Sequence, residues 1–161
     1  MTSFRRQRES SVPRAAQSIS IRAMAPFAAP RPHVLIVDDV TETRRLLADF
    51  VHRRGYHTLE AAEGAEAMAL LRAYHPRVCA IILDLQMQGM DGFAFRHAQL
   101  EEPALAAVPV IVVTASGRRE ILQYTLKVDD VIFKPTITGE LDEALVRHCN
   151  AAGRAVPQPQ L

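Results

Sequence analysis

Four apolar runs in this chain stop abruptly on groups that can do chemistry. Residues 34 to 37 run into Asp38 and Asp39, residues 78 to 83 into Asp84, residues 110 to 113 into Thr114, and residues 131 to 133 into Lys134 and Pro135. Runs this short, apolar throughout and rich in Val and Ile, predict strands buried on both faces. Residues 56 to 61 predict a further, less apolar strand. Between the strands the period lengthens. Leu46, Leu47, Phe50 and Val51 share one face of a helix predicted near 41 to 54 and closed by Gly55, and Ala67, Met68, Leu70 and Leu71 share one face of a second over 63 to 74. Further helices are predicted near 92 to 101, near 118 to 126 and over 138 to 149. Five strands alternating with five helices predict an α/β domain. Parallel strands need crossovers, and the helices then cover both faces of a five-stranded, doubly wound sheet.

That topology gives the strand ends their meaning. Open parallel sheets bind ligands beyond the carboxyl ends of their strands, so Asp38, Asp39, Asp84, Thr114 and Lys134 are expected to converge on one crevice. Three carboxylates held together repel and leave an oxygen-rich hole suited to a hard cation such as Mg2+. An ammonium and a hydroxyl beside them suit phosphoryl oxygens. Each residue alone has a plainer reading, Lys134 as a solvated lysine and Thr114 as the cap of a strand; it is the set that argues for chemistry.

Asp38 and Asp39, Asp84 with Met87, Met90, Asp91 and Gly92, Thr114 with Ala115, and Lys134 with Pro135 occur in the order and near the spacings of the receiver domain of two-component response regulators. From about Arg31 to Asn150 the chain closely resembles that family. The resemblance implies a flavodoxin-like (βα)5 fold and a phosphorylation switch rather than an enzyme. Asp84 would be the phosphoacceptor. Mg2+ would be ligated by Asp39, Asp84 and the Gln86 backbone carbonyl, with Asp38 acting mainly through water. Thr114 and Lys134 would bind the phosphoryl group, and Gln86 and Ser116 would modulate its lifetime. The implied partners are a sensor histidine kinase or histidine phosphotransfer protein and a downstream protein, with a phosphorylation-dependent homodimer also allowed. Direct DNA binding and membrane insertion are not expected.

The chain departs from the family pattern in three places. Gln88 stands where proline is usual, which is expected to loosen the loop without touching the chemistry. Val131 occupies the position of a usual Tyr or Phe. The interval from Thr114 to Lys134 is about two residues short and lacks the glycine expected near Val128, which predicts a shortened or reset helix before the last strand and weaker coupling there. His97 reads as a surface helical residue.

Composition changes the picture at the edges. The net charge of +1 hides six Arg against Glu9 in residues 1 to 32, so the remainder sums to −4. Residues 1 to 32, punctuated by Pro13, Pro26, Pro30 and Pro32, read as a disordered basic arm, with Met24 as an alternative start. Residues 33 to 150 form the receiver, and residues 151 to 161 read as a flexible tail. Cys79 and Cys149 have no metal-ligand spacing and are expected to be two reduced thiols in the cytoplasm. No apolar run reaches the length of a bilayer span. A phosphatase with an aspartyl nucleophile is disfavoured by the absence of a glycine-rich phosphate loop and of an acid at Gln86. A receiver-like domain that is never phosphorylated is disfavoured by the intact set of site residues. With no output domain after residue 150, output is expected through protein contacts or onward phosphoryl transfer.

Overall fold

The computed structural model describes residues 31–135 and 138–151; residues 1–30 of the expected arm and 152–161 of the expected tail lie outside the described residues. β1 (His33–Val37), β2 (His57–Ala61), β3 (Val78–Leu83), β4 (Val110–Thr114) and β5 (Asp130–Phe133) form one parallel sheet in the order β2-β1-β3-β4-β5. From β1, inside the sheet, the path moves to one edge with β2, then crosses back over β1 to build the other half. This reversal opens a crevice beside β1 and β3 at their carboxyl ends. The central strands are buried along nearly their whole length, as their unbroken apolar sequence requires.

Alternate side chains of the strands feed two apolar clusters, one on each face. Leu35, Ile81, Leu83, Val112 and Val131 pack with Met68, Leu71, Phe95 and Leu122 on one side. Val34, Ile36, Ile82, Ile111 and Ile132 pack with Leu47, Val51, Leu141 and Leu145 on the other. The helices are α1 (Thr41–Arg53), α2 (Gly64–Tyr74), α3 (Gly92–Glu101), α4 (Pro103–Ala106), α5 (Arg119–Leu126) and α6 (Thr138–Ala151). α4 is an addition to the five expected. It is a single turn with Pro103 in its first turn, too short to show a hydrophobic period.

α5 is short, at 8 residues, and ends on Lys127 in the left-handed conformation (φ 51°), a position where glycine costs less. What holds this ending is a buried polar group. Arg96 on α3 donates to the carbonyl oxygens of Leu126 (2.9 Å) and Lys127 (2.8 Å) and to Gln99 Oε1 (2.7 Å). Gln99 in turn donates to the carbonyls of Leu105 and Val108. Burial pushes the Arg96 pKa down, against the pull of Asp129, yet three acceptors satisfy the charge.

The expectation of two free thiols is overturned: Cys79 and Cys149 form a disulfide. Cys79 is the second residue of β3, and α6 runs back across the sheet beneath it, bringing the two Cα atoms to 4.9 Å. The sequence separation of 70 hides this proximity from any local reading of the sequence.

Candidate functional site at the carboxyl ends of the strands

Asp38 and Asp84 hang from the ends of β1 and β3, which are neighbours in the sheet, and the Asp84 N–H donates to the Val37 carbonyl (2.9 Å). The Asp38 backbone is fixed from two further sides, its N–H to the Ala61 carbonyl (3.2 Å) and its carbonyl to the Arg44 guanidinium (2.6 Å). Asp38 is 1% exposed and Asp84 6% exposed, so both carboxylates leave most of their water and need partners. Asp38 Oδ1 accepts from the Val40 N–H (2.8 Å), and Asp84 Oδ1 accepts from the Gln86 N–H (3.1 Å). Their other oxygens share one cation: Lys134 Nζ lies 3.0 Å from Asp38 Oδ2 and 3.0 Å from Asp84 Oδ2. Burial lowers the Lys134 pKa, but the hydrogen bonds and charges of Asp38 and Asp84 outweigh it and hold the ammonium above its ordinary value.

Asp39 completes the acidic group. One oxygen each from Asp38, Asp39 and Asp84 lie within 4.8 Å of one another. The donor set is hard oxygen throughout and open to solvent on the Asp39 side, which fits Mg2+. Gln88 corrects an expectation here. Its backbone N–H donates to Asp39 Oδ2 (3.2 Å), a bond proline cannot make, so this departure bears directly on an acid of the site.

Thr114 ends β4, and its carbonyl accepts from the Lys134 N–H (2.9 Å), which ties the two strand ends together. Its hydroxyl is buried and donates to the Ser116 carbonyl (3.2 Å) within its own loop. Gln86 and Ser116, both on exposed loops, face each other with Gln86 Nε2 3.5 Å from Ser116 Oγ. All seven residues singled out in the sequence therefore lie around one crevice. His97 lies outside it, exposed on α3 near Glu101.

The loop after Asp84 is shaped by its neighbours. Asp91 Oδ1 caps α3 by accepting from the Ala94 N–H (2.8 Å), and Met87 and Met90 pack on the core. Gly92 lets α3 start against the phosphoacceptor candidate: a Cβ there would overlap the Asp84 carbonyl and sit 2.7 Å from Leu85 Cα. The Lys134–Pro135 peptide is cis. Beyond it, Pro135, Thr138 and Leu141 face Thr43, Leu46 and Phe50 of α1 across a groove of about 360 Å³. Leu46 is 71% exposed at its edge. Neither the Arg96 group nor the Gln88 contact was legible in the sequence, since each joins segments at least 30 residues apart.

Comparison with known proteins gives the family of the chain and supports its fold. The profile of the response regulator receiver domain matches residues 34–146. The chain is 33% identical over 116 residues to a probable transcriptional regulator, ycf27, of Cyanophora paradoxa, covering 71% of this chain and 46% of that protein. It is 32% identical over 110 residues to the aerobic respiration control protein ArcA of Escherichia coli strain K12, covering 68% of this chain and 45% of ArcA. The chain thus spans about half the length of the curated relatives it matches. Among solved structures, the Vibrio cholerae chemotaxis protein CheY4 superposes with a TM-score of 0.66 at 27% identity, covering 73% of this chain and 98% of that one. A chain of the CheX-CheY-BeF3-Mg+2 complex of Borrelia burgdorferi gives 0.66 at 25%, covering 72% of this chain and 87% of that one.

Proposed function

The chain belongs to the response regulator receiver domain family of two-component signalling, and from that premise we propose that it is a switch operated by a phosphoryl group on Asp84. The observation that carries the reading is Lys134 Nζ bridging Asp38 and Asp84, because it sets an ammonium beside one carboxylate oxygen at a strand end. That oxygen attacks the phosphorus of a phosphohistidine; an O–P bond forms, the P–N bond breaks, and the imidazole leaves with the electron pair. Lys134 exchanges its carboxylate contact for a phosphoryl oxygen, and Thr114 gives up the Ser116 carbonyl to donate to another. Gln86 and Ser116 flank the product and regulate the access of the water that hydrolyses it. Asp39, Asp84 and the Gln86 carbonyl would hold Mg2+, with Asp38 acting through water, and the ion would supply positive charge to offset the negative charge of the transferring group.

The donor in this reading is a sensor histidine kinase or a histidine phosphotransfer protein in the cytoplasm. The α1–α6 groove supports it, since Leu46 offers an apolar anchor beside the crevice. Output runs through protein contacts. On α5, Tyr124 is 87% exposed and Ile121 53%, a surface suited to a downstream protein or a second copy. Val131 is wholly buried and has no ring to turn, so the signal passes chiefly through the loops after Asp84 and Thr114. Incubation with Mg2+ and a small acyl phosphate, followed by intact mass measurement, tests the reading. One phosphoryl group is expected on the wild-type chain and none on Asp84→Asn; labelling that persists in Asp84→Asn overturns it.

A further inference from the structure

The Cys79–Cys149 bond joins two elements that both bear on the crevice, although it lies at the opposite end of the sheet. β3 ends on Asp84, and α6 is the helix that follows Lys134. Both cysteines are buried, in a cluster of otherwise apolar side chains that includes Val34, Ala80, Ile111 and Leu145. A thiol is at home in such a site as a small apolar group, so the same packing accommodates the pair with or without the bond. Leu141, Ala144 and Leu145 are themselves buried and seat most of α6 independently of the bond. The last turn is held differently. Besides the packing of Cys149, the described residues of this turn have polar ties: Arg147 Nη2 to Asp130 Oδ1 (2.7 Å) and His148 Nε2 to Asp130 Oδ2 (2.5 Å). Cys149 is only two residues from the end of the helix, so a solvent reagent reaches the sulfurs once this turn opens and the Asp130 contacts part.

We propose that Cys79 and Cys149 are a reversible thiol–disulfide site at which a low-molecular-weight disulfide such as oxidised glutathione locks the last turn of α6 to β3. In the forward direction the thiolate of one cysteine attacks the small disulfide and expels one small thiolate. The second cysteine then attacks the mixed disulfide and expels the other. Two protein thiols and one small disulfide become one protein disulfide and two small thiols, so the electrons and protons balance. The oxidised domain has its final helix tied to the strand of the phosphoacceptor candidate; the reduced domain keeps the fold but lets the end of α6 open. Environmental redox state thereby becomes a second input to the domain.

The full chain, equilibrated across a range of reduced to oxidised glutathione, trapped with iodoacetamide under denaturing conditions and weighed, reports the bond directly. The expected result is a reversible passage from two alkylated cysteines to none, with the far-UV circular dichroism of a folded domain throughout. Amide hydrogen exchange in α6 beyond Leu145 is expected to be about tenfold or more slower in the oxidised chain. Cys149→Ala, or Cys79→Ala if the first variant folds poorly, is expected to exchange like the reduced chain at every glutathione ratio. The proposal is overturned if the cysteines fail to pair in oxidised glutathione, if they are reduced only on global unfolding, or if α6 exchanges equally in both states. None of these readouts involves Asp84, so they stand apart from the phosphorylation test.

Discussion

Replacing Lys134 with Met should destabilise the metal-free domain and make its stability strongly dependent on Mg2+. At an effective dielectric of about 20, each 3.0 Å contact of Nζ with Asp38 and Asp84 is worth about 5.5 kcal/mol in gross Coulomb energy. Carboxylate oxygens within 4.8 Å of one another repel by about 3.5 kcal/mol or more per pair on the same scale. The single ammonium therefore roughly balances the mutual repulsion of the three acids. Desolvation offsets much of the gross figure, and removing one partner of a buried pair costs about 3 to 5 kcal/mol in practice. Because the Lys134 side chain is 22% exposed, the lower end, about 3 kcal/mol, is the expected loss. With a urea slope of about 2 kcal/mol per molar, the midpoint in EDTA should fall by about 1.5 M. A hundredfold excess of Mg2+ over its dissociation constant returns about 2.7 kcal/mol, and more of it in the variant, where no ammonium competes for the carboxylates. Urea melts of both chains in EDTA and in Mg2+ check this. An unchanged midpoint in EDTA, or equal stabilisation of both chains by Mg2+, would refute the view that Lys134 balances this charge.

Three further outcomes are expected. Gln88→Pro should change the Mg2+ dissociation constant about threefold or more by releasing Asp39, while Gln88→Ala, which keeps the N–H, should not; isothermal titration distinguishes them, and parallel behaviour of the two variants would reject the contact. Arg96→Met leaves the Leu126 and Lys127 carbonyls and Gln99 Oε1 without their donor and should cost about 2 to 4 kcal/mol in urea unfolding; a loss below about 0.5 kcal/mol would show that the end of α5 holds itself. His33 has its pKa lowered from the ordinary 6.5 by burial and by the charges of His57 and Arg77, its Nδ1 is buried without a partner, and Tyr74 stacks on its ring. The folded state therefore binds fewer protons than the unfolded one just below 6.5. Its contribution to stability is fully present above 6.5 and is lost as the pH falls toward the lowered value. His33→Gln should flatten that part of the stability profile between about pH 5 and 7.5, and an unchanged slope would place the titration elsewhere.

The strands, the helical faces and the residues around the crevice were legible in the sequence because each depends on local information. An apolar run that stops at Asp84 or Lys134 records both the strand and the place where the chain leaves the core, and the parallel topology then brings those ends together. The short interval before Lys134 and the missing glycine near Val128 likewise foretold the brief α5. Tertiary structure alone decided how that helix ends, for the donor that satisfies Leu126 and Lys127 is Arg96 on another helix, and neither arginine nor its spacing marks a buried site in advance. The same holds for Gln88, whose side chain says nothing about its N–H reaching Asp39 across 49 residues. It holds most for Cys79 and Cys149. Hydrophobic pattern tells which way a side chain faces within its own element, but two inward-facing cysteines pair only if the angle at which α6 crosses the sheet sets one above the other. That angle is fixed by packing over the whole face.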